Sequence, residues 1–291
     1  MVPSDHSQSR RKVLAGIAGL GAAGLAGCTG GSDEEAQTET ATPTATPTET
    51  EESPYDVDGD LTVDGDFTGE VASASGVVTV ASGVEFDGAI DSGEGVAVEE
   101  DAVVTGRVQT FGDATFAAGS TVGGTVEAQN VTVGDEAHVE GGITANGKLT
   151  VGKAARVDGT ASSSKNLVAK TDAVFNDFVG AGLEAQIGEG VTVAQTLSAD
   201  SATVASGATL EGGALITEQL TSKADVVFGS NVTGNGGVEL GSGNEVQGDV
   251  SSKGAVVIGA NSLVTGDVSG ETVELGSDVT VEGEVSESGS Q

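Results

Sequence analysis

Cys28 is the only cysteine in 291 residues, so no disulfide can form within the chain. All four prolines (Pro3, Pro43, Pro47 and Pro54) precede residue 55, which leaves every later backbone N–H available for pairing. Tryptophan is missing and aromatic residues make up 3% of the chain, too few for a broad aromatic recognition surface. Only two histidines, His6 and His138, are available for imidazole acid–base chemistry or metal ligation. Basic residues number 11 against 45 acidic ones, a formal net charge of −34, which excludes a nucleic acid partner because phosphate must be neutralised by lysine and arginine. The apolar run Val13–Gly27 is too short to span a bilayer and is rich in small residues.

Against these shortages, Val, Leu and Ile return at regular intervals, which separates the chain from an unfolded acidic polymer. Abundant carboxylates with few lysines form an acidic solvent shell suited to very high salt, where long-range repulsion is screened. The composition points to a halophilic source.

Residues 1–28 read as a targeting signal. The stretch "SRRKVLAGIAGLGAAGLAGC" sets Arg10, Arg11 and Lys12 before the apolar run. The Arg10–Arg11 pair followed by Leu14 resembles the twin-arginine export signal, with Val13 where that motif commonly has Phe. Leu25, Ala26, Gly27 and Cys28 resemble the lipobox of exported lipoproteins, whose cysteine becomes the lipidated first residue of the mature protein. The resemblance implies an exported protein anchored through Cys28 on the outer face of the cytoplasmic membrane. Residues 29–54 alternate Thr, Glu and Pro, the composition of an extended, self-repelling, disordered tether. The folded domain is expected over 55–291.

Within it, apolar pairs two residues apart recur every six residues, as at Leu149/Val151, Ala155/Val157 and Leu167/Ala169. A helix would space apolar residues by three and four, and an isolated strand would alternate without the longer gap. From Leu61 to Val285 the register is kept over 38 steps of six with four single-residue deletions. Every third step repeats a chemical type. One column is large then small (Ile143/Ala145, Val179/Ala181), a second small then large (Ala137/Val139, Ala173/Phe175), and a third often large at both places (Val131/Val133, Val256/Ile258). The register is weakest at Ala161/Ser163, Ala214/Ile216, Asn244 and the stretch 72–75. Such persistence marks an all-β, three-faced parallel β-helix (β-solenoid) of about 17–18 residues per coil and about 13 coils. Gly152, Gly159, Gly241 and Gly259 follow the pairs, where corners call for backbone angles that glycine reaches without strain. No amphipathic helix is available to cap either end, so Leu61, Val63, Val279, Val281 and Val285 are the candidate residues for contact between molecules.

The segments "GRVQTFGDATFAAGSTVGGTVEAQNVTVGDEAHVEGGI" (106–143) and "GDVSSKGAVVIGANSLVTGDVSGETVELGSDVTVEGEV" (248–285) resemble the repeat of the bactofilins, the polymer-forming cytoskeletal family. The resemblance covers about 61–285. It implies a right-handed β-helix that polymerises end to end without nucleotide into scaffolding filaments, with no cofactor. This chain departs from typical members in its export signal, lipobox and tether, which implies a scaffold at the cell surface.

Other classes fit less well. Hexapeptide-repeat acyltransferases also build triangular coils, and "VGKAAR" (151–156) resembles them, but they use a histidine base. His6 lies in the signal, and His138 falls between inward Ala137 and Val139 and should face solvent. The aspartates of "DVDGDLTVDGD" (56–66) resemble a calcium loop, yet the sixth and twelfth positions are Leu61 and Phe67 in place of Gly and Glu, and no metal site is expected. The remaining alternative is a monomeric surface lipoprotein acting as a spacer or as a glycan- or protein-binding module. Its aromatics are scattered: Phe86, Phe116, Phe175 and Phe228 fall at inward positions, while Phe111 and Phe178 fall outside the register.

Overall fold

The computed structural model describes residues 56–289, so the expected export signal (Arg10, Arg11), lipobox (Leu25–Cys28) and tether lie outside the described residues. Among the described residues there are 38 strands and no helix. They wind as a β-solenoid in which each strand pairs in parallel with those one coil before and after it. Face A is a 13-stranded sheet running from Leu61–Val63 to Val273–Leu275. Face B carries short strands such as His138–Val139 and Arg156–Val157, and face C strands such as Val126–Ala128 and Ile143–Ala145. Thirteen strands on one face define 12 steps between coils. At roughly 4.8 Å per step, the solenoid is on the order of 60 Å long.

Alternation builds each strand. In Val126–Ala128, Val131–Val133 and Ile143–Ala145 the two end residues are buried and the middle one is exposed. Inward residues stack on their own kind: Leu149 lies between Val131 and Leu167 on face A, and Ala145 between Ala128 and Ser163 on face C. The three columns of the sequence are therefore the three faces. The weakly patterned places still point inward, with Ala72, Ala74, Ala161, Ser163, Ala214, Ile216 and Asn244 all buried, although the ladder shifts by one residue between Thr68 and Val71 in the first coil. The four deletions are four 17-residue coils, seen in the register pairs Leu61↔Val78, Ala114↔Val131, Ala185↔Ala202 and Val256↔Val273.

Glycine at the corners works differently from the sequence expectation. Gly152, Gly159, Gly241 and Gly259 have no positive φ; what they provide is room between coils, since a Cβ there would lie 2.4–2.6 Å from the backbone of the preceding coil. The left-handed position falls two residues after Gly152, Gly241 and Gly259, in the corner from face A to face B. Gly119, Gly190 and Gly243 take it without cost, and Asp101, Asp172, Asp225 and Asn261 take it as residues that tolerate that conformation. Glu136 and Ala154 occupy the same place at φ 60° and 53°, at a cost of about 1 kcal/mol each.

The interior is narrow and almost wholly apolar. Phe86, Phe116, Phe175 and Phe228 are fully buried, and Phe67 in the first coil stacks on Phe86 with ring centroids 5.6 Å apart. Asn244 is the one buried amide side chain among the described residues, and both its nitrogen and its oxygen have a partner. Its Nδ2 donates to Ser222 Oγ at 2.6 Å, its Oδ1 accepts from the Val226 N–H at 2.8 Å, and its own N–H donates to Ser262 Oγ at 3.2 Å. Ser163 Oγ, by contrast, is buried with no hydrogen-bond partner, between Ala145 and Ala181 in the register.

The two polar residues predict opposite effects. Ser163→Ala removes an unsatisfied hydroxyl at a place where alanine already packs above and below, and should raise stability by about 1 kcal/mol in thermal or urea unfolding. Asn244→Ala strands the Val226 N–H inside the solenoid and should cost about 2–3 kcal/mol in the same measurement.

Candidate functional site at the ends of the solenoid

A coil in mid-solenoid has each backbone edge covered by the next coil; the last coil has one edge without such a partner among the described residues. Its strands Val273–Leu275, Thr280–Val281 and Val285–Glu287 each pair with a single neighbour, Ala255–Ile258, Leu263–Val264 and Val268–Gly270 respectively. The apolar residues there follow. Val268, one coil earlier, is fully buried, while its register partner Val285 is 48% exposed. Leu275 is 43% exposed where its partner Ile258 is buried. Val273, Val279 and Val281 are half-buried against the core. Three of the five candidate residues named from the sequence, Val279, Val281 and Val285, thus lie on one apolar end surface. Val273 and Leu275 belong to it too, and were legible as the last pair of the face A column.

The N-terminal end differs. Leu61 and Val63 form the first strand of face A and pair with Val78 and Val80. Val63 is 1% exposed and Leu61 half-buried, so this end presents less apolar surface than the other.

Charge is distributed unevenly over the sides. The outward column of face A runs Thr62, Thr79, Ala97, Thr115, Thr132 and Thr150, and on to Thr221, with no charged residue before Glu239. Carboxylates concentrate at the corners. There many serve the backbone: Asp60 Oδ1 accepts from the Val77 N–H, Asp66 Oδ1 from Glu85, Asp249 Oδ1 from Asp267, and Asp267 Oδ1 from Glu284, all at 2.8–3.0 Å. Two aspartates of the calcium-like stretch are thus tied to the next coil's backbone. Among the described residues no three His, Cys, Asp or Glu side chains group as metal ligands would. Phe111 and Phe178 stand outside the core, the former 87% exposed beside a shallow groove of about 320 Å³ that Asp91 and Gln109 also line.

His138 is outward on face B, as its position between Ala137 and Val139 requires, but it is half-buried and bonded. Its Nε2 lies 2.8 Å from Asp158 Oδ2, and Arg156 Nε and Asn176 Nδ2 both donate to Asp158 Oδ1. Three successive coils are cross-linked at one carboxylate. The cluster was hidden in the sequence because it depends on the 18-residue register that sets His138 beside Arg156. Burial alone would push the Asp158 carboxyl up, but hydrogen bonds from His138, Arg156 and Asn176, with the charge of Arg156, hold it below the usual carboxylate range.

Against protein-family models, curated proteins and solved structures, the chain has no match.

A carboxyl with a lowered folded-state pKa contributes stability above its unfolded value, about 3.9, and loses it as pH falls through the folded value. Asp158→Asn should therefore flatten the acid limb of a stability–pH curve below about pH 4, while above it the variant is less stable than the parent at every pH.

Proposed function

We propose that this chain is a non-enzymatic structural scaffold whose β-solenoid associates end to end with further copies, exported and held to the membrane through a lipidated Cys28. The observation that carries the reading is the last coil, where Val273, Leu275, Val279, Val281 and Val285 leave an apolar cross-section beside strands that have no following coil among the described residues. Such an edge is a ready template for another chain's strands. The bactofilin-like repeat grammar of 61–285 supports the same reading. So does the neutral threonine column of face A, which lets long acidic bodies lie close in high salt without opposed charges at their centre. The resemblance of Leu25–Cys28 to a lipobox supports the anchor, and the tether composition of 29–54 supports a solenoid standing clear of the membrane.

Electron microscopy of the chain from residue 28 onward, carrying Cys28→Ser and kept in molar salt, should show filaments one coil-width thick. Monodisperse rods on the order of 60 Å would instead favour a monomeric spacer or binding module. Val281→Asp places a charge inside the last coil and should abolish the filaments while leaving the circular dichroism spectrum nearly unchanged, because solenoid coils are locally independent. Filaments persisting in that variant would rule out stacking at this end.

A further inference from the structure

The second inward position of face C is held by small residues along most of the solenoid: Ala128, Ala145, Ser163, Ala181, Ala199, Gly234, Ser252 and Gly270, with Ile216 the large exception. In the last coil the register partner of Gly270 is Glu287, a charged residue at a place where the column elsewhere is uncharged. Its carboxylate has a specific role. At the start of each face A strand, the backbone N–H normally donates to a carbonyl of the following coil: Val131 to Lys148 at 2.9 Å, Leu149 to Asn166 at 3.0 Å, Val256 to Thr272 at 2.8 Å. In the last coil the Val273 N–H donates to Glu287 Oε1 at 2.8 Å. The side chain thus reaches from face C to face A at the solenoid's end and holds the donor that an added coil would use.

We infer that Glu287 is a displaceable plug on the C-terminal end, and that a second copy stacks there only after its carboxylate leaves the Val273 N–H. The inference rests on the end-to-end reading above and adds what controls it. Two costs oppose stacking while the plug is in place: the incoming carbonyl has no donor at Val273, and a carboxylate is trapped between two apolar cross-sections. Inward-pointing charge at an edge is a known guard against unwanted strand pairing. The rest of the coil reinforces it, since Glu271, Glu274, Asp278, Glu282 and Glu284 lie in the same stretch with no Lys or Arg after Lys253. Those five lie at outward or corner positions and can be screened by salt. Glu287 instead stands on the contact surface itself, so salt alone does not remove it.

The test compares self-association thresholds by sedimentation velocity and light scattering, in molar salt, for residues 28–291 carrying Cys28→Ser. Four forms are needed: the parent, Glu287→Ala, Val281→Asp, and the two substitutions combined. Glu287→Ala restores the small residue of the column and should lower the threshold about tenfold, equivalent to about 1.4 kcal/mol. The combined variant should return to or above the parent threshold, showing that the gain runs through the end surface and not through unfolding of the last coil. An unchanged or raised threshold in Glu287→Ala, with Val281→Asp still blocking assembly, overturns the plug and leaves end stacking in place. Absence of assembly in all four forms overturns both.

Discussion

Everything in this solenoid depends on one repeated interaction, the parallel hydrogen bonding of each strand to the strand one coil away. It forces equivalent positions in neighbouring coils to sit about 4.8 Å apart, so that a residue chosen at one level constrains the residue above and below it. The like-on-like columns, the glycines where backbones approach, and the aspartates that cap the next coil's N–H are all answers to that spacing. A large residue at a small position would push against two neighbours at once. One exception is compensated locally, where Asn244 satisfies a backbone donor that alanine would leave bare.

The same ladder explains where charge can go. Face centres are flat and crowded by register neighbours, so repeated carboxylates there would oppose one another every coil. Corners let side chains splay apart, and acceptors there can be paired with backbone donors. The outward column of face A stays uncharged from Thr62 to Thr221 in this way. The His138–Arg156–Asp158–Asn176 cluster follows the same logic with both signs of charge, three donors converging on one acceptor across three coils.

Much of the fold was legible because the inward pairs are chemically simple. The six-residue step, the three columns and the four short coils can be counted directly, since a slip by one residue would turn a strand inside out. Two things were not legible. Gly152 and Gly259 looked like sites of unusual φ, whereas the left-handed residue lies two positions on and is sometimes Ala154 or Glu136; apolar periodicity carries no information on which corner residue bends. The end surface was half legible: Val279, Val281 and Val285 follow from the end of the apolar register. Leu275 was identifiable as part of a column but not as exposed, and the bond of Glu287 to Val273 spans two faces, which no linear pattern encodes.

The short coils also set a unit of length. Ala114, Ala185 and Val256 each open a 17-residue coil, and they stand 71 residues apart, a run of three 18-residue coils and one of 17. Because the shortened coil returns at the same phase, removing or inserting one such block leaves every remaining strand with a partner of its own column. The solenoid can thereby change length in steps of about 19 Å, four strand spacings, with its cross-section and corners preserved and its stability rising or falling by the coils added or removed. In mechanical terms the chain is a ruler with its graduations written in the sequence, each mark a shortened coil.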